Sequence, residues 1–356
     1  MVTLIFPYRN RDLKRINRSL DSLKNQKTQN FKVFFVDYGT KLPLSEEVKK
    51  LVTSYDFVTY FYSFEMNKPW NKSKAINIAL KKITTPFTFI ADIDVIFNLN
   101  FTSKLKDFYL NNVVTYFKVA YLSEKESKII KKFEDYKISH YSNLGDTGLS
   151  LFPTEVLKEV NGFDEFYHFW GSEDTDAHVR MQNKGLEVKF FNDSILLLHQ
   201  WHKIYRQKKD NLLTTDLRCK NIVELNHKHL VYNKCHNITK VNKKLFGEIV
   251  TKKEVLLLEK IDLTFNIFND ISYLDYFKSL IFTIEDRIVL FKFKKNTYTI
   301  KDKIKYLLGK KEKSKDFPMK EINDEILKLL IINFRNHLYS FIVLEDLNEI
   351  HLKIKL

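Results

Sequence analysis

Four apolar runs alternate with amphipathic stretches through the N-terminal part of the chain, and this alternation restricts the fold more than any other feature of the sequence. Residues 3–7 form a short apolar run ended by Pro7, as in a buried strand. Residues 31–37 repeat the pattern and close on an acidic residue before Tyr38-Gly39, and residues 57–64 and 86–97 complete the set. Between them Leu13, Ile16, Leu20 and Leu23 recur at helical spacing, so residues 12–25 read as a helix, and residues 73–82 read as a second, amphipathic one. An α/β chain in this order builds a mostly parallel central sheet, with ligands gathering at the carboxyl ends of the strands. Asp37 and the Asp92/Asp94 pair both stand at such ends.

Glycine and proline show where this pattern stops. Five of the six prolines precede residue 154, and five of the eight glycines lie between 145 and 185. Beyond that the chain becomes rich in Lys, Asn, Ile, Leu and Phe with few breakers. The expected organisation is therefore an α/β domain over residues 1–215 and a mainly helical domain over residues 216–356. With 44% apolar residues the chain has ample material for cores, which excludes wholesale disorder. No apolar stretch approaches the roughly 18 residues of a membrane span. The start of the chain runs from Leu4-Ile5-Phe6 into Arg9, Arg11 and Asp12, unlike a signal peptide. Cys219 and Cys235 do not make a disulfide framework, so the expectation is a soluble chain in the reducing cytoplasm.

A net charge of +15 favours anionic partners: nucleic acid, nucleotide phosphates or a membrane surface. A lysine-rich solvated surface accounts for it equally. Lysine far outnumbers arginine and no readout motif is recognisable, so nucleic acid is not an expected partner. Residues 292–315 carry ten lysines against Asp302 and Glu312, with Ile300, Ile304, Leu307 and Leu308 on one helical face. Two readings stay open for that face: packing inside the C-terminal domain, or lying on an anionic membrane at the inner face of the cell. Residues 324–344 continue with another helix-like apolar pattern.

Three clusters carry chemistry. Asp92-Ile93-Asp94 follows the apolar residues 87–91, where a carboxylate pair is costly unless partnered or metal-bound. Hard carboxylate oxygens suit Mg²⁺ or Mn²⁺ bridging a diphosphate, and turn-capping aspartates are the alternative. Glu173, Asp174 and Asp176 follow Trp170-Gly171-Ser172 and lead into a helix through His178 and Arg180. Capping of that helix is one reading, and a Trp170 lid over a carboxylate base is the other. Residues 195–198 run apolar into His199-Gln200-Trp201-His202, so Asp94 with these histidines makes a composite metal site plausible.

The ordered set resembles a known family. Pro7-Tyr8-Arg9-Asn10-Arg11 is similar to the nucleotide-binding opening of β-1,4-galactosyltransferases and bacterial family 2 glycosyltransferases. Trp70-Asn71-Lys72-Ser73-Lys74-Ala75-Ile76-Asn77, the Asp92-Ile93-Asp94 strand, Val160-Asn161-Gly162-Phe163-Asp164 and Trp170-Gly171-Ser172-Glu173-Asp174 resemble its later blocks, in the same order. Leu144-Gly145-Asp146-Thr147-Gly148 matches the family's glycine pair only loosely, and residues beyond about 215 match nothing nameable. The resemblance implies a GT-A fold, Rossmann-like, using a UDP-sugar with Mn²⁺ or Mg²⁺. Pro7, Tyr8, Arg9 and Arg11 would hold the nucleotide, and Asp37 the uracil or ribose. Lys72, with Lys74 beside it, would sit near the base and diphosphate, with Gly148 in the same site. Asp92 would touch the ribose or a metal-bound water, and Trp170 would lie over the sugar and diphosphate. Asp94 would ligate the metal with His199 or His202, His199 being favoured because it directly ends the apolar run. Asp174 would be the general base and Glu173 would orient sugar or acceptor. The acceptor would be a glycan, on a lipid carrier in bacterial capsule or lipopolysaccharide assembly. A metal-dependent nucleotidyltransferase would also use an Asp-x-Asp and a basic groove, and a nucleic-acid-binding protein would use the charge, but neither uses the Trp170–Asp176 block.

Overall fold

A computed structural model of the chain describes residues 1–203, 210–242, 246–270, 272–297, 300–309 and 315–356. The described residues separate into two units: residues 1–66, 70–203 and 223–249 form the first, and residues 67–69, 210–222 and those from 250 onward form the second.

The first unit begins with β1 (Val2–Tyr8), α1 (Leu13–Lys24), β2 (Phe31–Tyr38), α2 (Leu44–Val52), β3 (Val58–Ser63), α3 (Lys72–Leu80) and β4 (Phe87–Ile90). Every residue of β1 is buried, as befits a parallel strand covered on both faces. It pairs parallel with β2 on one side and β4 on the other, Ile5 lying level with Phe34 and Ile90. The chain thus moves from β1 through β2 to β3, then crosses back to place β4 on β1's other side. This reversal opens a crevice beyond the carboxyl ends of β1 and β4, where ligands of such sheets bind.

α1 forms as its spacing predicts: Asp12 caps it by accepting from the Arg15 amide at 3.1 Å, and Ile16, Leu20 and Leu23 are buried. α3 differs from expectation. It is buried on nearly every residue from Ser73 to Leu80, so it is a core helix rather than an amphipathic one.

β5 (Val95–Phe97), α4 (Phe101–Lys104), β6 (Val113–Phe117), β7 (Val119–Leu122), β8 (Ile138–Tyr141), β9 (Ser150–Pro153), α5 (Thr154–Glu159), α6 (Glu173–Asn183), β10 (Glu187–Phe191), β11 (Leu197–His199) and α7 (Ile222–Cys235) follow. The main sheet has the order β10-β6-β9-β4-β1-β2-β3, in which β9 alone is antiparallel to its neighbours. A smaller sheet, β5-β11-β7-β8, carries the later site residues. Phe89, Phe101 and Phe117 interlock edge-on in the core beneath β4, with ring centroids 5.1 to 6.3 Å apart. From residue 223 to 249, α7 and the segment after it belong to this first unit. The division therefore does not coincide with the boundary at 215/216 expected from composition.

The second unit holds α8 (Lys252–Leu257), β12 (Leu263–Phe268), α9 (Tyr273–Ile281), β13 (Ile288–Lys294), α10 (Ile300–Leu307), α11 (Met319–Leu329), β14 (Tyr339–Val343) and β15 (Glu349–Lys355). The C-terminal region has more helix than strand, as expected, but also a four-stranded sheet, β12-β13-β15-β14. The helix-like reading of residues 324–344 holds only as far as α11 and the π-turn after it. Tyr339, Phe341 and Val343 instead alternate with more exposed neighbours in β14, and Ile350, Leu352 and Ile354 do the same in β15. Among the described residues no helix is long and apolar enough to cross a membrane.

Candidate active site

The turn after β4 delivers Asp92 and Asp94, and strand pairing brings the histidines to them. β5 runs antiparallel to β11 with Val95 opposite His199, so Asp94 meets the end of β11. Asp94 Oδ1 lies 3.3 Å from His199 Nε2, and its Oδ2 lies 3.2 Å from His202 Nε2. One ligand atom from each of the three residues falls within 4.8 Å of the others. The 199–202 segment is fixed from behind: Arg15 donates to the Trp201 carbonyl at 2.9 Å, and Ser127 Oγ accepts from the Trp201 amide at 2.7 Å. Burial opposes charge on Asp94, but His199, His202 and Arg11 outweigh it and hold the carboxyl below its ordinary value. Burial lowers the His202 imidazole, which favours its neutral, ligating form. A carboxylate with two imidazole nitrogens is a donor set suited to first-row divalent cations. The two histidines lie at nearly equal distances from Asp94, so this geometry does not separate His199 from His202 as the metal ligand.

Beside the triad stands a second charged group. Lys72, the first residue of α3, puts Nζ 3.2 Å from Asp92 Oδ1 and 3.0 Å from Asp174 Oδ2. Asp174 is the second residue of α6. Its burial, reinforced by Glu173 and Asp92, pushes its carboxyl up to about 7 against the opposing pull of Lys72. The same carboxylates overcome the burial of Lys72 and hold its ammonium charged. Gly148 faces both acids: a Cβ there would stand 3.3 Å from Asp174 Oδ2 and 3.8 Å from Asp92 Oδ2. Its lack of a side chain lets the backbone come close to both carboxylates.

The remaining expected donor residues divide. Asp37, at the end of β2, is buried and accepts from the Thr40 amide at 2.8 Å and the Tyr60 hydroxyl at 3.1 Å. Arg9 donates to the Met66 carbonyl at 2.7 Å and lies 5.9 Å over the Tyr38 ring. Pro7 is buried within β1, and the Tyr8 hydroxyl donates to the Arg11 carbonyl at 2.6 Å, shaping the turn that carries Arg11. Lys74 is turned elsewhere: it pairs with the fully buried Glu65 at 2.5 Å, beside Glu165. Its charge is spent in the core, and the structure does not bring it to the site.

Trp170 is 39% exposed in a loop of unusual backbone. Phe169, Gly171 and Ser172 have φ of 64°, 103° and 75°, and such angles cost on the order of 1–3 kcal/mol at each non-glycine residue. Helix α7 holds this loop. Asn226 Nδ2 donates to the carbonyls of His168 at 3.0 Å and Trp170 at 3.2 Å, and His229 donates to Asp164 at 2.8 Å. Asn233 donates to Asp176 at 2.7 Å, whose other oxygen takes the buried Arg180 at 2.7 Å. Asp176 is thus a structural anchor two residues beyond Asp174. A second clasp joins the blocks: Asn77 accepts from the Phe163 amide at 2.8 Å, and Gly162, at φ 70°, leaves Asn77 no side chain to meet.

Sequence reading did not find Asn226, His229, Asn233 or Tyr121. The α7 residues recur at i, i+3 and i+7, a pattern indistinguishable from a solvated helix face. Tyr121 lies level with His199 across β7 and β11, its ring 4.9 Å from that histidine and stacked on His140 at 4.6 Å. It gave no sequence signal.

Residues 3–150 match the model of glycosyl transferase family 2, and residues 127–206 match a model described as the N-terminal domain of galactosyltransferase. No curated protein sequence matches the chain. Among solved structures, GalNAc-T7 with UDP, GalNAc and Mn²⁺ is 14% identical over 57% of this chain and 43% of its own, with a TM-score of 0.45. The mannosyltransferase PcManGT from Pyrobaculum calidifontis, with GDP-Man and Mn²⁺, is 19% identical over 56% of each chain, with a TM-score of 0.41. S. aureus TarS 1–349 is 15% identical over 94% of this chain and 81% of its own, with a TM-score of 0.47. The chain spans about half the length of the first two.

Proposed function

We propose that the chain is a glycosyltransferase of the GT-A fold, similar to glycosyl transferase family 2 over residues 3–150, and that it transfers a sugar from a UDP-sugar to a glycan hydroxyl with inversion, in bacterial surface-polysaccharide assembly. The observation that carries this reading is the part-buried Asp174, its carboxyl near 7, ion-paired to Lys72 in front of the bare Gly148 backbone.

A sugar hydroxyl is a poor nucleophile, and a carboxylate that titrates near neutral pH is suited to take its proton during attack on the anomeric carbon. Asp174 stands on the acceptor side and Glu173 orients the sugar or acceptor. Lys72 neutralises charge between Asp92 and Asp174 and extends a cation toward the departing diphosphate. Arg11 and Arg9 contribute further positive charge, Asp37 accepts from the nucleoside, Asp92 from the ribose, and Trp170 covers the sugar. Asp94, His199 and His202 would hold Mn²⁺ or Mg²⁺, which supplies Lewis-acid charge to the leaving group. With a single base on the attacking face and no second carboxylate required as nucleophile, an α-linked donor gives a β-glycoside. The catalytic unit extends through residue 249, because α7 holds the loop on which Trp170 stands. Such an enzyme works where UDP-sugars are made, in the cytoplasm.

The test is UDP release from UDP-Gal, UDP-GalNAc, UDP-Glc, UDP-GlcNAc and UDP-GlcA in Mn²⁺. Turnover of at least one, abolished by chelation, supports the reading. Nucleotide-dependent pyrophosphate release without UDP release would overturn it.

A further inference from the structure

Helix α10 presents the most exposed apolar face among the described residues of the second unit. Ile300, Ile304 and Leu307, with Leu308 just beyond the helix end, are 77%, 50%, 87% and 60% exposed. At about 100° per residue these four positions fall within a single arc of roughly 100°, so they form one stripe. Of the two readings left open for these residues, packing inside the C-terminal domain does not fit this exposure. Four large aliphatic side chains left together in water are unusual on a soluble surface, and such a stripe marks a contact with something else.

The charge around the stripe identifies what. Residues 292–315 hold ten lysines against Asp302 and Glu312; Lys292 and Lys294 belong to β13, the latter paired with Glu349, while α10 itself carries Lys301, Lys303 and Lys305 against Asp302. Lys301 and Lys305 are exposed on the face adjoining the apolar arc. A second copy of the chain would bring two such lysine clusters together, and like charges at close range oppose that contact. An acyl-chain boundary beneath anionic headgroups takes both halves of the pattern: the aliphatic stripe enters the boundary, and the lysines meet the headgroup charge.

We propose that α10 docks the protein on an anionic lipid surface, with Ile300, Ile304, Leu307 and Leu308 inserted and Lys301 and Lys305 at headgroup level. This is independent of the sugar-transfer reading, because binding to vesicles needs no turnover.

The experiment is co-sedimentation of the full chain with vesicles of phosphatidylcholine, alone or mixed with phosphatidylglycerol. Binding to the mixed vesicles, weakened at about 1 M salt and absent from the neutral ones, is the expected result. K301Q/K305Q should weaken it about 25-fold, at roughly fivefold per lysine. I304S/L307S should abolish it while preserving the far-UV spectrum and donor-dependent UDP release. Failure of the wild-type chain to bind mixed vesicles would overturn the proposal. So would undiminished binding by I304S/L307S, which would make the attraction one of surface charge alone. Sedimentation velocity that found a dimer dispersed by the same double variant would replace the lipid by a second copy.

Discussion

Replacing Asp174 by asparagine should stabilise the protein while destroying transfer, and the pH dependence of that stabilisation identifies its cause. The carboxyl moves from an ordinary 3.8 to about 7 in the folded chain, with burial as the main cause and only 17% of its side chain exposed. The folded state therefore binds this proton more tightly than the unfolded state does, so stability from this group is greatest below pH 4. It falls as pH rises from about 4 to about 7, then stays level. A shift of about three units at 1.36 kcal/mol each makes the ionised form cost about 4 kcal/mol above pH 7. Asparagine does not ionise, and Lys72 keeps Asp92 as a partner at 3.2 Å. Asp174→Asn should thus gain up to about 4 kcal/mol at pH 8 and almost nothing at pH 4. Urea unfolding of both proteins in chelator at the two pH values measures the difference. An equal gain at both, or no gain at pH 8, would show that the carboxyl is not strained by burial. In the same pair of proteins, wild-type kcat should fall as pH drops through about 7, where the base becomes protonated, and the variant should bind UDP with Mn²⁺ yet turn over at least a hundredfold more slowly, a typical general-base loss.

Two further perturbations test the rest of the site. Asp94→Ala removes the only carboxylate of the triad and should abolish Mn²⁺-dependent tightening of UDP binding in calorimetry, with His199→Ala and His202→Ala each weakening it to a similar degree because both lie equally close to Asp94. An unchanged UDP affinity in Asp94→Ala would remove the triad from the metal assignment. Asn226→Ala strips two carbonyls of the Trp170 loop of their donor, at about 1–3 kcal/mol, and should lower kcat more than it raises KM as the loop relaxes; full activity would mean that the loop holds its shape without α7.

The local code of the chain was enough for several of these features. Parallel strands in β1, β2 and β4 declare themselves as apolar runs because burial on both faces allows little else, and α1 follows from a period of three to four with a capping aspartate. The acidic residues that end those strands were legible for the same reason: the carboxyl end of a parallel strand is where chain direction and solvent meet. Asp94, Asp174 and both histidines could be named from short blocks whose chemistry is contained within a few residues.

What tertiary structure alone decided is non-local. Register between β5 and β11 brings Asp94 to both His199 and His202 at once, and no spacing in the sequence distinguishes that from a single contact. Lys72 and Lys74 sit two residues apart in one motif, yet the turn of α3 sends the first to Asp174 and the second to Glu65 in the core. Asn226, His229 and Asn233 form a polar helix stripe that reads as solvated until the facing carbonyls and carboxylates, more than fifty residues away, are in place. α10 is the converse: a stripe that looks like core is left outside, because whether an apolar face is covered depends on what packs opposite it. Helical periodicity records only that one face differs from the other.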